Sequence, residues 1–153
     1  MGEAGSRLRR GIAWALCAGW MAFIFFMSAM PGDVSGEQSG TVVRILLAVH
    51  DAILGPSEMS AQAISVLETL VRKAAHMAEY AVLALLFCHA LRVSGARHPA
   101  CLALAMSLAY AATDEFHQSF VGGRGPSAVD VMIDTAGAAL ALTGRGIIKK
   151  LRR

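Results

Sequence analysis

Charge is scarce in this chain. Of its 153 residues, 16% are Asp, Glu, Lys or Arg and 56% are hydrophobic, with a mean hydropathy of +0.53. That balance excludes an ordinary soluble domain and points to an integral membrane protein. Aromatic residues amount to only 7% and do not interleave with a basic stripe, so the footprint of a nucleic-acid-binding protein is missing. Cys17, Cys88 and Cys101 lack CxxC spacing and sit within or beside apolar runs. They read as small buried hydrophobes rather than ligands or a disulfide framework. No G-x-S-x-G nucleophile motif and no internal repeat occurs.

What is present is a series of apolar runs. Arg7, Arg9 and Arg10 precede an uncharged stretch, 11–30, of about 20 residues, enough to cross a hydrocarbon core of about 30 Å. Basic residues before an apolar segment also suit a secretory signal. The length of the run and Pro31 directly after it favour an uncleaved first span. Pro31, Gly32 and Asp33 predict a stop, and 34–40 a polar connection. Residues 41–54 and 57–70 read as short helices at the membrane interface, the second capped by Ser57 or Ser60. Three further spans are expected at 73–91, at 99–117 with Pro99 in its first turn, and at 127–148. The expected fold is an all-α polytopic membrane protein, a single domain over 1–153 with four transmembrane helices and one or two interfacial helices between the first two spans. Small residues at Gly137, Ala141 and Gly144 suit close helix approach.

Charge does not enter such runs without a reason. Arg72, Lys73, His76, Glu79 and Tyr80 lead directly into an apolar helix, and Arg72, His76, Glu79 and Tyr80 share one helical face. Asp114, Glu115, His117 and Gln118 end the next span; Arg124 lies in the following loop; Asp130 and Asp134 are one turn apart at the start of the last span. The positive-inside rule orients these clusters. Arg7, Arg9, Arg10, Arg92, Arg97, Arg145, Lys149, Lys150, Arg152 and Arg153 fall on one side, against Arg44, Arg72, Lys73 and Arg124 on the other. Both termini are therefore expected in the cytoplasm, and all three polar clusters in the outer leaflet.

Taken together, Arg72-Lys73-x-x-His76-x-x-Glu79-Tyr80, Asp114-Glu115-x-His117-Gln118 with Arg124, and Asp130-x-x-x-Asp134-x-x-Gly137 resemble the VanZ-like family of small bacterial membrane proteins. Ser28 followed by Pro31-Gly32 resembles it as well, and the similarity runs over roughly residues 20 to 145. The resemblance implies a multi-span protein of the bacterial inner membrane. In the family's founding member it implies a contribution to low-level resistance to the glycopeptide teicoplanin. Many members carry asparagine at the position of Asp134, so the resemblance does not call for a charge there.

Three readings of the clusters stand beside each other. In the first, an acid-base site faces the outer leaflet: His76, Glu79, Asp114 and Asp130 carry the chemistry. Arg72, Lys73, Tyr80, Glu115, His117, Gln118, Arg124 and Asp134 hold an anionic ligand, a membrane lipid or a lipid-linked cell-envelope precursor. A metal variant of it uses His76 and Glu79 with Asp114 and His117, each pair at i, i+3. In the second, the same cations bind or shield such a ligand without turnover. In the third, the residues form an interhelical polar network, each contact contributing about 0.6 to 2 kcal/mol. His50, His89 and His98 are read as incidental.

Overall fold

The computed structural model describes residues 3–56 and 58–152 and is all-α among them. Five helices follow in order: α1 (Glu3–Ser28), α2 (Gly32–Leu54), α3 (Ala61–Val93), α4 (Pro99–Gln118) and α5 (Ala128–Leu151). By length and composition, α1, α3 and α5 can cross a membrane.

The central helix, α3, is packed by each of the other four. Ser60 caps it, its Oγ accepting from the Ala63 N–H at 3.2 Å; the alternative cap, Ser57, lies outside the described residues. At its far end the Gly95 N–H donates to Arg92 O and the Ala96 N–H to Leu91 O. With Gly95 at φ +82°, this is a Schellman closure that needs a residue tolerant of the left-handed region. Between these ends there is neither glycine nor proline. The separate helices expected over 57–70 and 73–91 are therefore one helix, because a change from polar to apolar surface does not interrupt backbone hydrogen bonding.

The polar connection expected over 34–40 is also helical. Pro31 stands at the N-cap of α2 with φ −52° and ψ 153°, and its carbonyl accepts from the Ser35 N–H. Glycine and serine are weak helix formers, but tertiary contact decides here. Ser35, Ser39, Gly40 and Val43 form a buried stripe on α2, which packs on α3. A Cβ at Gly40 would lie 2.9 Å from Glu68 Oε1, the mobile end of a side chain on α3.

The core joins Ala13, Cys17 and Ile24 of α1 to Tyr80, Leu83, Phe87 and Cys88 of α3 and to Ala103 and Ala111 of α4. Cys17 and Cys88 are buried as expected; Cys101 is exposed, near the start of α4. Gly137 of α5 meets α3 backbone to backbone, since a Cβ there would fall 2.2 Å from Met77 O. Gly144, grouped with it in the sequence, has open space around it. The backbone contact of α3 with α5 is thus made at Gly137 and not at Gly144.

Candidate functional site

Three helix ends, the exit of α1, the exit of α4 and the entrance of α5, gather around the Arg72 to Tyr80 stretch in the middle of α3. The turn after α1 is fastened to the loop after α4, where the Gly32 N–H donates to Gly122 O at 3.1 Å. A Cβ on Gly32 would stand 2.4 Å from Gly123 O, so only glycine fits this contact.

From α4, Asp114 is buried and its Oδ2 accepts from Ser28 Oγ at 2.8 Å and from Gln118 Nε2 at 3.1 Å. Gln118 Oε1 in turn accepts from Arg124 Nη1 at 3.2 Å, which ties the loop to α4 and, through Ser28, to α1. One residue on, Glu115 Oε2 accepts from the Ser127 N–H at 2.8 Å. A carboxylate beside a helix N-terminus is favourable, and Ser127 Oγ completes the start of α5 by accepting from the Asp130 N–H.

Between α3 and α5, Lys73 Nζ pairs with Asp130 Oδ1. Both side chains are about one-third exposed, 36% and 34%, so the pair contributes little to stability. His76 Nδ1 lies 3.5 Å from Glu79 Oε2, at ion-pair distance without a hydrogen bond. Tyr80 is fully buried with its hydroxyl unpartnered, and its ring lies 6.2 Å from that of Tyr110. Asp134 is buried with Oδ1 unpartnered.

The clusters share a cavity of about 250 Å³, walled by Arg72, Lys73 and His76 of α3, Glu115 of α4, and Asp130 and Asp134 of α5. Glu79, Tyr80, Asp114, Gln118 and Arg124 do not line it. His76 is within electrostatic range of Asp114, Arg124, Asp130 and Arg72, and Glu79 within range of Asp114 and Arg124. His117 is the exception among the expected residues: its ring packs on Phe25 of α1 at 4.2 Å. Among the described residues no three of His, Cys, Asp and Glu are grouped so as to hold a metal ion, which removes the geometric basis for the His76, Glu79, Asp114 and His117 set.

A second cavity of about 130 Å³ shares Arg72 and His76 and is walled on its other side by Ser35, Gln38 and Ser39 of α2. These α2 residues, and Thr69 of α3, which lines the first cavity, are absent from the site expected from the sequence. A signal for them existed, since Ser35 and Ser39 are one helical turn apart; reading the stretch as a loop hid it. Arg72 Nε and Arg124 Nε are both buried and unpartnered among the described residues. Burial, and next the Arg72 charge, lowers the pKa of Arg124 from its ordinary value, while Asp114, Glu115 and Glu79 oppose that. A guanidinium stays protonated under such a shift, so two neighbouring cations persist here with donors to spare.

The family model described as VanZ/LLP1 matches residues 13–148. No curated protein and no solved structure matches the chain.

Proposed function

Since this chain belongs to the VanZ/LLP1 family, we propose that it is a bacterial inner-membrane protein that holds the anionic headgroup of a lipid-linked cell-envelope molecule in the cavity between α3, α4 and α5. In this reading α1, α3, α4 and α5 all span, both termini are cytoplasmic and the cavity opens in the outer leaflet. The excess of lysine and arginine at the opposite end of the bundle supports that orientation. The observation that carries the binding role is Arg72. Its guanidinium sits on the wall common to two cavities, its Nε has no partner among the described residues, and a second guanidinium, Arg124, stands close enough to repel it. A phosphate in either cavity would take up the spare N–H donor of Arg72 and offset its repulsion with Arg124.

Binding of a polyprenyl monophosphate by the purified full chain tests this. We expect Arg72→Gln to weaken it by about tenfold or more, the scale of one charge-assisted contact, with the helix content unchanged. Equal binding by wild type and variant overturns the assignment. Susceptibility to teicoplanin, the phenotype implied by the family resemblance, is the cellular readout to follow in the same variant.

A second reading, turnover of the bound molecule, is favoured by a different observation. Glu79 Oε2, Asp114 Oδ1 and Asp134 Oδ1 are all buried without a hydrogen-bond partner, and His76 stands beside Glu79. Carboxylate oxygens left so in an interior are costly unless they exchange a proton or meet a ligand. His76 and Glu79 then act as proton acceptor and donor next to the headgroup held by Arg72.

A further inference from the structure

The opposite end of the bundle carries a groove that the outer-leaflet site does not use. It runs between the C-terminal halves of α3 and α5, has a volume of about 690 Å³, and is lined at its end by Arg92, Arg145, Lys149 and Arg152. Its deeper wall is apolar, formed by Leu85, Ala141 and Ile148, with Gly144 leaving the floor open. From Arg92 back to Leu85 is about 10 Å along α3, and from Arg152 back to Ala141 about 16 Å along α5.

No carboxylate lines the groove, and none of the four cations has an ion-pair or side-chain hydrogen-bond partner among the described residues. A second cleft, of about 280 Å³, lies against the start of α4. It shares Arg92, Arg145 and Lys149 and adds Arg97 and His98. The shared cations therefore stand over open space on two sides instead of resting on protein. Proximity to helix C-termini favours Arg92, Lys149 and Arg152, but that influence fades within the last turn. Arg145 lies about two turns inside the end of α5, where the dipole gives no reason for it.

We propose that this groove is a binding site for an anionic phospholipid of the bilayer, its phosphate held by Arg92, Arg145, Lys149 and Arg152 and one acyl chain lying along Leu85, Ala141 and Ile148. The charge is complementary, the cations occupy the helix ends, and the apolar wall extends from them along the helices. Basic pockets between membrane helices take acidic headgroups in this way. The site is independent of the ligand assigned to the other end.

The test uses the purified full chain, with native mass spectrometry reading adducts of phosphatidylglycerol and of phosphatidylcholine with the same acyl chains. Wild type is expected to prefer phosphatidylglycerol, and Arg145→Gln with Lys149→Gln to lose about thirtyfold of its affinity, the effect of two cations near a headgroup. Arg7→Gln with Arg9→Gln removes as many cations from the start of α1. The Trp14 to Ser94 hydrogen bond keeps that helix at the same end of the bundle, and this control should retain the preference. Gly144→Leu fills the groove with no change in charge and should also weaken binding, so the test stands even if the charge variant fails to fold. Equal affinity for the two lipids, equal loss in the two double variants, or unchanged binding by Gly144→Leu overturns the proposal. Complete displacement by millimolar inorganic phosphate overturns it too, since that would make the site one for a free anion.

Discussion

The two ends of this bundle hold charge in different ways. At one end, acids and bases are interleaved and tied together by short contacts: Ser28 to Asp114, Asp114 to Gln118, Gln118 to Arg124, Lys73 to Asp130. At the other, Arg92, Arg145, Lys149 and Arg152 line an open groove that has no carboxylate among the described residues. Packing follows the same division, with α3 and α5 in backbone contact at Gly137 and apart at Gly144. Cations alone at a membrane surface are stable because water and lipid headgroups serve them. A mixed cluster among packed helices has to be built by the fold, and here five segments contribute to it. The first end is therefore the more fragile, and the comparison can be tested by perturbing matched positions at each end.

The largest contrast is expected between two identical substitutions on one helix. Gly137→Ala places a methyl group 2.2 Å from Met77 O and 2.6 Å from Met77 Cγ, so α3 and α5 must part beneath the cavity. Overpacking of this kind costs about 3 kcal/mol, enough to lower the thermal unfolding midpoint of the detergent-solubilised protein sharply. Gly144→Ala meets nothing within 4 Å and should be neutral or stabilising by up to about 1 kcal/mol, the difference in helix propensity. Similar midpoints for the two variants would mean that the ends are packed alike.

A smaller effect is expected at Ser28. Its hydroxyl gives buried Asp114 one of its two hydrogen bonds, so Ser28→Ala should destabilise by about 1 to 3 kcal/mol, the cost of leaving a buried acceptor short of a donor. Adding Asp114→Asn to Ser28→Ala should recover part of that loss, because a neutral amide is less costly to leave short than a carboxylate. If the double variant loses the sum of the two single effects, Ser28 and Asp114 are not coupled and the network at this end is looser than its distances imply.

How much of this was legible in the sequence differs between residues for a physical reason. Arg72, His76, Glu79 and Asp130 announce themselves because charge inside an apolar helix is conspicuous, and their convergence follows from helical spacing and a short loop between α4 and α5. The start of α2 did not, since Gly32, Ser35, Gly36, Ser39 and Gly40 carry the composition of a loop and become helical through contact with α3. The unbroken length of α3 is hidden because its shift from polar to apolar surface resembles a boundary, although no helix breaker lies there. Gly137 and Gly144 look alike in the sequence, and only the path of the neighbouring helix distinguishes them.

The smallest change in stability, and the one that bears most on function, is expected at Glu79. Glutamine preserves its shape and its capacity to face His76 Nδ1, 3.5 Å away, and leaves untouched the backbone carbonyl that accepts from Trp20 Nε1 at 2.9 Å. If Glu79 only joins helices beside a neutral His76, Glu79→Gln should be close to neutral, since an amide of the same shape is less costly to bury than a carboxylate without a hydrogen-bond partner. If it exchanges a proton with His76 beside a bound headgroup, the variant should unfold within about 1 kcal/mol of wild type yet lose the protein-dependent phenotype. We expect the second outcome, because Glu79 Oε2 has no hydrogen-bond partner among the described residues, which is a poor arrangement for a structural link and a suitable one for a group that titrates. Alanine at the same position supplies the contrast. Full activity in Glu79→Gln together with a destabilised Glu79→Ala would reduce this end of the bundle to a packing device, and the distinction between its two ends would then be one of stability alone.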